Sequence, residues 1–292
     1  MAIQRLNREA YDNLKRMNPS TLVHGLKSMW HLKHAIDQGY QSTPAMEFGS
    51  QYHCLILEPA AFEKSHAVMP DFKRDPKNVD GKGDPSTSAN TTWCRRRKAQ
   101  FISDCKAEGT DIITQDNYDK AQGMIEGIRR NPVAVDLLVR SENEMSVEGE
   151  IEGVPMKGRL DLLADGVIGD IKGTPSVADY AFGSSMSKLN TGFKMAVYRE
   201  LVRQNRFDNF ACQLIAIESQ PPFDCVVYEV PPELLDQKLD DVRDVLTRYK
   251  RAKKADRWLG VQDGVSSPLP LFVPNYDMAD EDALQWQEEV SQ

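Results

Sequence analysis

Two aspartates and a lysine stand close together in the middle of the chain. Asp161 lies in Lys157-Gly158-Arg159-Leu160-Asp161, and Asp170 and Lys172 lie in Asp170-Ile171-Lys172-Gly173-Thr174. Between them Asp165-Gly166 is a tight-turn dipeptide, so an antiparallel pairing with little stagger brings Asp161 near Asp170. Side chains alternate along a strand, so Asp170 and Lys172 share a face while Ile171 points into a core. Two adjacent carboxylates repel unless a cation lies between them. Oxygen ligands with open water positions suit Mg2+, with Mn2+ as a substitute. A lysine on the same face can stabilise charge on a phosphate, or help orient and deprotonate an attacking water. These are the parts that metal-assisted phosphodiester hydrolysis requires. Taken alone, an Asp-x-Lys at a strand end fits a salt-bridged surface hairpin better.

The elements that must position these groups read as follows. Segments 144–151, 154–163 and 167–172 are three strands, joined at Glu152-Gly153 and Asp165-Gly166 into a meander. An amphipathic helix over 190–206, strands at 210–218 and 224–230, and a charged helix over 232–254 follow. Upstream, residues 1–40 read as two helices, the second capped by Asn18-Pro19-Ser20-Thr21. A helix over 44–57 carries Gly49-Ser50-Gln51-Tyr52-His53. Residues 70–92, rich in Asp, Lys, Gly, Pro, Ser and Thr, read as a long mobile loop. Beyond it, helices cover about 95–106 and 115–130, with a short one from 132 to 140. The order predicts an α+β fold, a central mixed β-sheet of the meander plus two further strands flanked by helices. An N-terminal helical region (1–43) would precede a core (44–258). A tail (259–292) rich in Pro and acid would be disordered or docked on a partner.

The 292 residues carry a net charge of −8, which argues against a protein that coats nucleic acid non-specifically but leaves room for a local basic groove. Arg95-Arg96-Arg97-Lys98 is a candidate for phosphate contact at such a groove, or a solvated helix face. Lys27 and His31 are weaker candidates for a 5′-phosphate pocket. The cysteines at 54, 94, 105, 212 and 225 are scattered without a CxxC pair. That spacing predicts reduced structural thiols, with no disulfide framework, zinc site or iron–sulfur cluster. No apolar run is long enough to span a membrane, and the N-terminus lacks a signal-peptide core, so a cytoplasmic protein without membrane contact is expected.

In order along the chain, Gly49 to His53, Glu144 at the first strand, Lys157 to Asp161, Asp170 to Thr174 and Tyr198 on the next helix resemble the four motifs of the PD-(D/E)xK nucleases. The similarity is to the RecE-type (exonuclease eight) and RecB-type branch, which includes lambda exonuclease, and spans roughly residues 18–230. The resemblance implies a restriction-endonuclease-like core. His53, Asp161, Asp170 and the Ile171 carbonyl would be metal ligands, and Lys172 the catalytic lysine. Glu144 would bind a second metal, with Glu148 and Glu150 as competitors for that role. Lys194, Tyr198, Arg159 and Thr174 would lie along the DNA. One position departs from the family: its helix glutamine is Lys194 here, which can contact a phosphate but cannot act as a neutral orienting group.

The resemblance further implies a Mg2+-dependent 5′-to-3′ exonuclease on double-stranded DNA ends that leaves a 3′ overhang, as in phage recombination. It implies a ring of three or four copies and a single-strand annealing protein as partner. The alternatives are an endonuclease or single-strand nuclease of the same superfamily, or a catalytically inactive DNA-binding module.

Overall fold

A computed structural model describes residues 2–39 and 42–269. Its frame is a six-stranded sheet in the order β1-β4-β5-β6-β7-β8. The strands are β1 (Ala2–Arg5), β4 (Glu142–Ile151), β5 (Val154–Ala164), β6 (Val167–Thr174), β7 (Ala211–Glu218) and β8 (Cys225–Val230). The predicted meander is β4-β5-β6. Glu152 and Gly153 both take positive φ, as a two-residue hairpin turn demands, and Ile151 faces Val154 across it. Gly166 takes positive φ in the second turn. β6 and β7 run parallel, so the sheet is mixed.

Helices cover both faces. On one side lie α10 (Thr191–Arg206), α11 (Pro232–Ala255), α2 (Pro19–Leu22) and α3 (Met29–Gln38). Phe193, Val197 and Leu201 of α10 meet Val242 and Leu246 of α11 and Leu22, Met29 and Leu32 in one core cluster. On the other side lie α4 (Pro44–Leu57), α7 (Gln115–Arg130) and α8 (Pro132–Arg140), where Tyr52, Leu55, Met124, Ile128 and Leu137 form the second. The N-terminal helices thus share the core of the sheet. Among the described residues, no helix is long and apolar enough to cross a membrane.

The N-terminus departs from the two-helix reading. β1 adds an antiparallel edge strand to β4, from Ala2 opposite Glu148 to Arg5 opposite Met145, before the short helix α1 (Arg8–Asn13). Four residues are too few to display a period of two, and only Ile3 packs against the core. Also unanticipated are α5 (Pro59–Ser65), α9 (Asp179–Lys188) and a parallel pair, β2 (His66–Val68) with β3 (Asp111–Ile113).

Residues 70–92, expected to be a mobile loop, fold around a buried asparagine. Asn78 is 1% exposed, and its amide donates to the carbonyls of Lys73, Ser86 and Ser88. Its side-chain oxygen accepts from the Thr91 hydroxyl, and Thr91 caps α6 (Thr92–Glu108) by accepting the Cys94 N–H. Most of the predicted tail, residues 270–292, lies outside the described residues.

Candidate active site

The site lies where the central hairpin comes apart. β5 and β6 pair at Ala164–Val167, Leu163–Ile168 and Leu162–Gly169. That register sets Asp161 opposite Asp170, but the ladder stops one rung short of them. β6 keeps its parallel partner β7 as far as Thr174, so past Gly169 its other edge faces no strand. Two side chains satisfy the amides there: Ile171 N–H donates to Asp161 Oδ2 (2.9 Å), and Gly173 N–H donates to the Tyr52 hydroxyl (2.9 Å). In a strand a residue's N–H and carbonyl leave by the same edge. The Ile171 carbonyl therefore points into the same seam, while its side chain is fully buried in the α4-side cluster.

The neighbouring ladder is disturbed at the same level. Asn143 pairs with Leu162 and Met145 with Leu160, which sets Glu144 opposite Asp161. Glu144 takes a left-handed φ of 55° inside a strand, a conformation that costs a non-glycine residue about 1–2 kcal/mol. Leu160 packs in the α10-side cluster and Leu162 in the α4-side cluster, although two residues along a strand should share a face. The strand thus changes face at Asp161, and this turns its carboxylate and that of Glu144 toward the seam.

His53 enters from α4, its Nδ1 3.3 Å from Asp161 Oδ2. His53, Glu144 and Asp161 each offer one ligand atom, all within 4.8 Å of one another. Beside them Asp170 is buried and in ion-pair contact with Lys172. The Lys172 ammonium is the partner of Asp170 Oδ2 there. One imidazole nitrogen and two carboxylates converging in this way fit a divalent cation. Of the four glutamates on β4, Glu144 alone joins this group: Glu148 pairs with Arg16, and Glu142 and Glu150 are exposed.

The site's charges are strongly coupled. Burial works against a charged His53, but the Asp161 carboxylate overrides it and lifts the imidazole to about 10. Burial would raise Asp161, yet His53 and Lys172 hold it down at about 2. Burial and the nearby Asp161 raise Asp170 against the pull of Lys172, and burial and Asp161 likewise raise Glu144. Lys172, despite its own burial, is pushed above the ordinary lysine value by Asp170 and Asp161. It stands as a firm cation.

The other predicted residues fall into different places. Lys194 is half-buried, and burial together with the charge of Lys172 lowers its affinity for a proton. Tyr198 packs over Gly158, where an added methyl would stand 2.8 Å from the ring. Its buried phenol is raised well above its usual value, by desolvation first and then by the surrounding acidic groups, Asp170 and Asp161 among them. Arg159 turns inward instead of lying free for DNA: it pairs with Glu144 and approaches Glu58 at 3.8 Å. Thr174 is 2% exposed, with its hydroxyl bonded to the Ser176 carbonyl. Arg95, Arg96, Arg97 and Lys98 are all exposed on the first turns of α6. Lys27 is exposed near His31, whose Nδ1 is 2.6 Å from Ser28 Oγ.

Two roles escaped the sequence. Lys157 is 5% exposed, and its ammonium donates to the carbonyls of Tyr11 (2.8 Å), Asp12 (3.2 Å) and Leu14 (2.9 Å). It closes the C-terminal end of α1. Tyr52 sits inside the Gly49–His53 segment, but nothing in a helical tyrosine announces a bond to a strand more than a hundred residues downstream.

A mixed sheet whose parted strands carry Asp161, Asp170 and Lys172, with helices on both faces, is the frame of the PD-(D/E)xK fold. Residues 20–261 match the family model of a PDDEXK-like domain of unknown function, and the chain belongs to that family. A solved structure from Eubacterium rectale, described as a "Putative exonuclease", superposes with a TM-score of 0.61 at 17% identity, covering 94% of this chain and 98% of that one. At that identity the likeness speaks for the fold alone. A second, of SSO0001, aligns over 70% of this chain and 87% of its own at 16% identity, with a TM-score of 0.27. No curated protein matches the sequence.

Proposed function

We propose that the chain is a divalent-metal-dependent DNA nuclease that digests duplex ends from the 5′ side and leaves a 3′ single-stranded overhang. The observation that carries the reading is the convergence of His53, Glu144 and Asp161 within 4.8 Å beside the Asp170–Lys172 pair. His53, Asp161, Asp170 and the Ile171 carbonyl would hold Mg2+ or Mn2+, with Glu144 the candidate for a second ion. A bound cation supplies Lewis-acid stabilisation of the phosphate and a more acidic water.

The chain's own residues do the rest. Lys172, held charged by its carboxylate neighbours, stabilises negative charge developing on the phosphate. His53 must give up its proton before it can ligate, so metal binding and proton release are linked. Lys194, half-buried near Lys172, adds a second positive contact to the phosphate backbone. Arg159 holds Glu144 in its left-handed conformation and so acts on the site from behind.

The exposed cluster Arg95 to Lys98 serves the flanking duplex through its phosphates. Strand polarity, a three- or four-membered ring, a single-strand annealing partner and a place in phage recombination belong to the same proposal. Their support is the resemblance to RecE-type exonucleases.

The test is digestion of linear duplex labelled separately at its 5′ and 3′ ends, with and without Mg2+. Loss of the 5′ label first, only with metal, and no digestion by Asp170→Ala is the expected result. Equal digestion by wild type and Asp170→Ala overturns the site. Cutting of circular DNA, or of single strands alone, overturns the duplex-exonuclease reading in favour of another activity of the superfamily.

A further inference from the structure

We propose that Tyr52 is a positioning residue for this centre. Its hydroxyl fixes the unpaired edge of β6 and so determines where the Ile171 carbonyl and the Lys172 ammonium stand. The inference rests on the metal-dependent nuclease reading. Past Gly169 the edge of β6 toward β5 has no strand partner, and buried amides left without acceptors draw a strand out of place. Two acceptors replace the missing strand, Asp161 for the Ile171 N–H and the Tyr52 hydroxyl for the Gly173 N–H, each at 2.9 Å. The segment from Ile171 to Gly173 is thus held at both ends, with Lys172 between the two holds.

The two holds differ in kind. Asp161 is itself a candidate ligand, so its carboxylate is shared between the amide, His53 and any cation. Tyr52 has no such second duty. Its ring is 7% exposed and fixed by Phe48 (5.4 Å between centroids) and by His53 (4.7 Å). Tyr52 also precedes His53 directly on α4, so one helical turn delivers both an imidazole and the strand's clamp. Gly173 fits closely against it, since a Cβ there would stand 3.1 Å from the hydroxyl.

The test is Tyr52→Phe, which removes one oxygen and keeps the ring, compared with Ile128→Val. The second is a mild core truncation in α7, with no polar atom to offer the strand, that costs a comparable amount of stability. Mn2+ affinity is measured by calorimetry, kcat on labelled duplex at a temperature where all three proteins are folded, and stability by thermal melts. Loss of a partner that orients a metal site typically costs about 10–100-fold in affinity or activity. Tyr52→Phe is expected to lose at least about tenfold in Mn2+ affinity and in kcat, whereas Ile128→Val matches wild type in both.

If Tyr52→Phe tracks Ile128→Val, Tyr52 is an ordinary core residue and the inference falls. If wild type binds Mn2+ but cuts no DNA, the nuclease reading falls, and Tyr52 is judged on the Mn2+ affinities alone. If wild type binds no Mn2+, both fall.

Discussion

Replacing Lys157 by methionine separates the two lysines of the motif region by what each holds. Lys157 Nζ donates to three backbone carbonyls at the end of α1, and the residue is almost wholly buried. It also lies 4.6 Å from the centre of the Tyr11 ring. Hydrogen bonds from a charged donor contribute about 1.5–3 kcal/mol each. Burial of the ammonium, which lowers its proton affinity, offsets part of that sum. Methionine keeps the apolar stem but leaves the carbonyls without a donor, so a net loss of about 2–4 kcal/mol is expected. For a chain of this size, each kcal/mol moves Tm by about 2–4 °C. Lys157→Met should therefore melt roughly 5–15 °C below wild type, with α1 and β1 the first elements to exchange amide protons. Mn2+ affinity and kcat, measured well below the melt, should stay within about twofold, because nothing the lysine touches lies in the seam. A variant that melts with wild type, or one that stays folded but loses catalysis as expected of Lys172→Met, would refute the assignment of Lys157 to structure.

Three further outcomes follow. Gly49 sits in α4 one turn before His53, and a methyl there would meet nothing within 4 Å. Gly49→Ala should raise stability by about 0.5–1 kcal/mol in urea unfolding, and a raised KM on duplex with unchanged kcat would mark the open space as the path of the DNA. For pH, His53 is raised above its ordinary 6.5 to about 10 and Asp161 is lowered from 3.8 to about 2. In the metal-free protein the histidine's stabilising contribution is complete below about pH 6.5 and is lost as pH rises toward 10, while the aspartate's is lost as pH falls below about 4 toward 2. Wild type should thus lose stability between pH 7 and 10 relative to His53→Gln, and parallel pH profiles of the two would count against the ion pair. Changing Arg95, Arg96 and Arg97 to Gln should weaken duplex binding whatever the sequence. The log–log salt slope should become shallower by about 0.9 for each phosphate that the protein no longer neutralises; an unchanged slope would make the cluster a solvated helix face.

The meander was legible because two-residue turns carry their own chemistry, at Glu152-Gly153 and Asp165-Gly166, and because its strands are long enough to display their period. Its register followed, and with it the approach of Asp161 to Asp170. The change of face at Asp161 was not legible, since it arises from a pairing defect shared with Glu144 and leaves no mark in residue type. The resemblance implies Arg159 along the DNA, and nothing in residue type shows that Glu144 bends inward to pair with it. The backbone partners of Lys157 and Thr174 are likewise invisible in residue type: the polar atoms of both are bonded to main-chain groups. β1 and the β2–β3 pair are too short for periodicity, and tertiary pairing alone defines them. In 70–92 the polar composition predicts a mobile loop and gives no sign that Asn78 is buried among three backbone carbonyls.

The parted β5–β6 hairpin also bears on how inactive variants of this protein should be made. Asp161 is at once a candidate ligand and the acceptor that stands in for a missing strand at the Ile171 amide. Alanine at 161 would therefore strand a backbone N–H as well as remove a carboxylate, and a dead enzyme would report folding and chemistry together. Asparagine keeps an acceptor oxygen in the same place. Asp170 and Lys172 support no backbone group, but they pair with each other, so a knockout at either is read beside a thermal melt, because the remaining charge loses its partner.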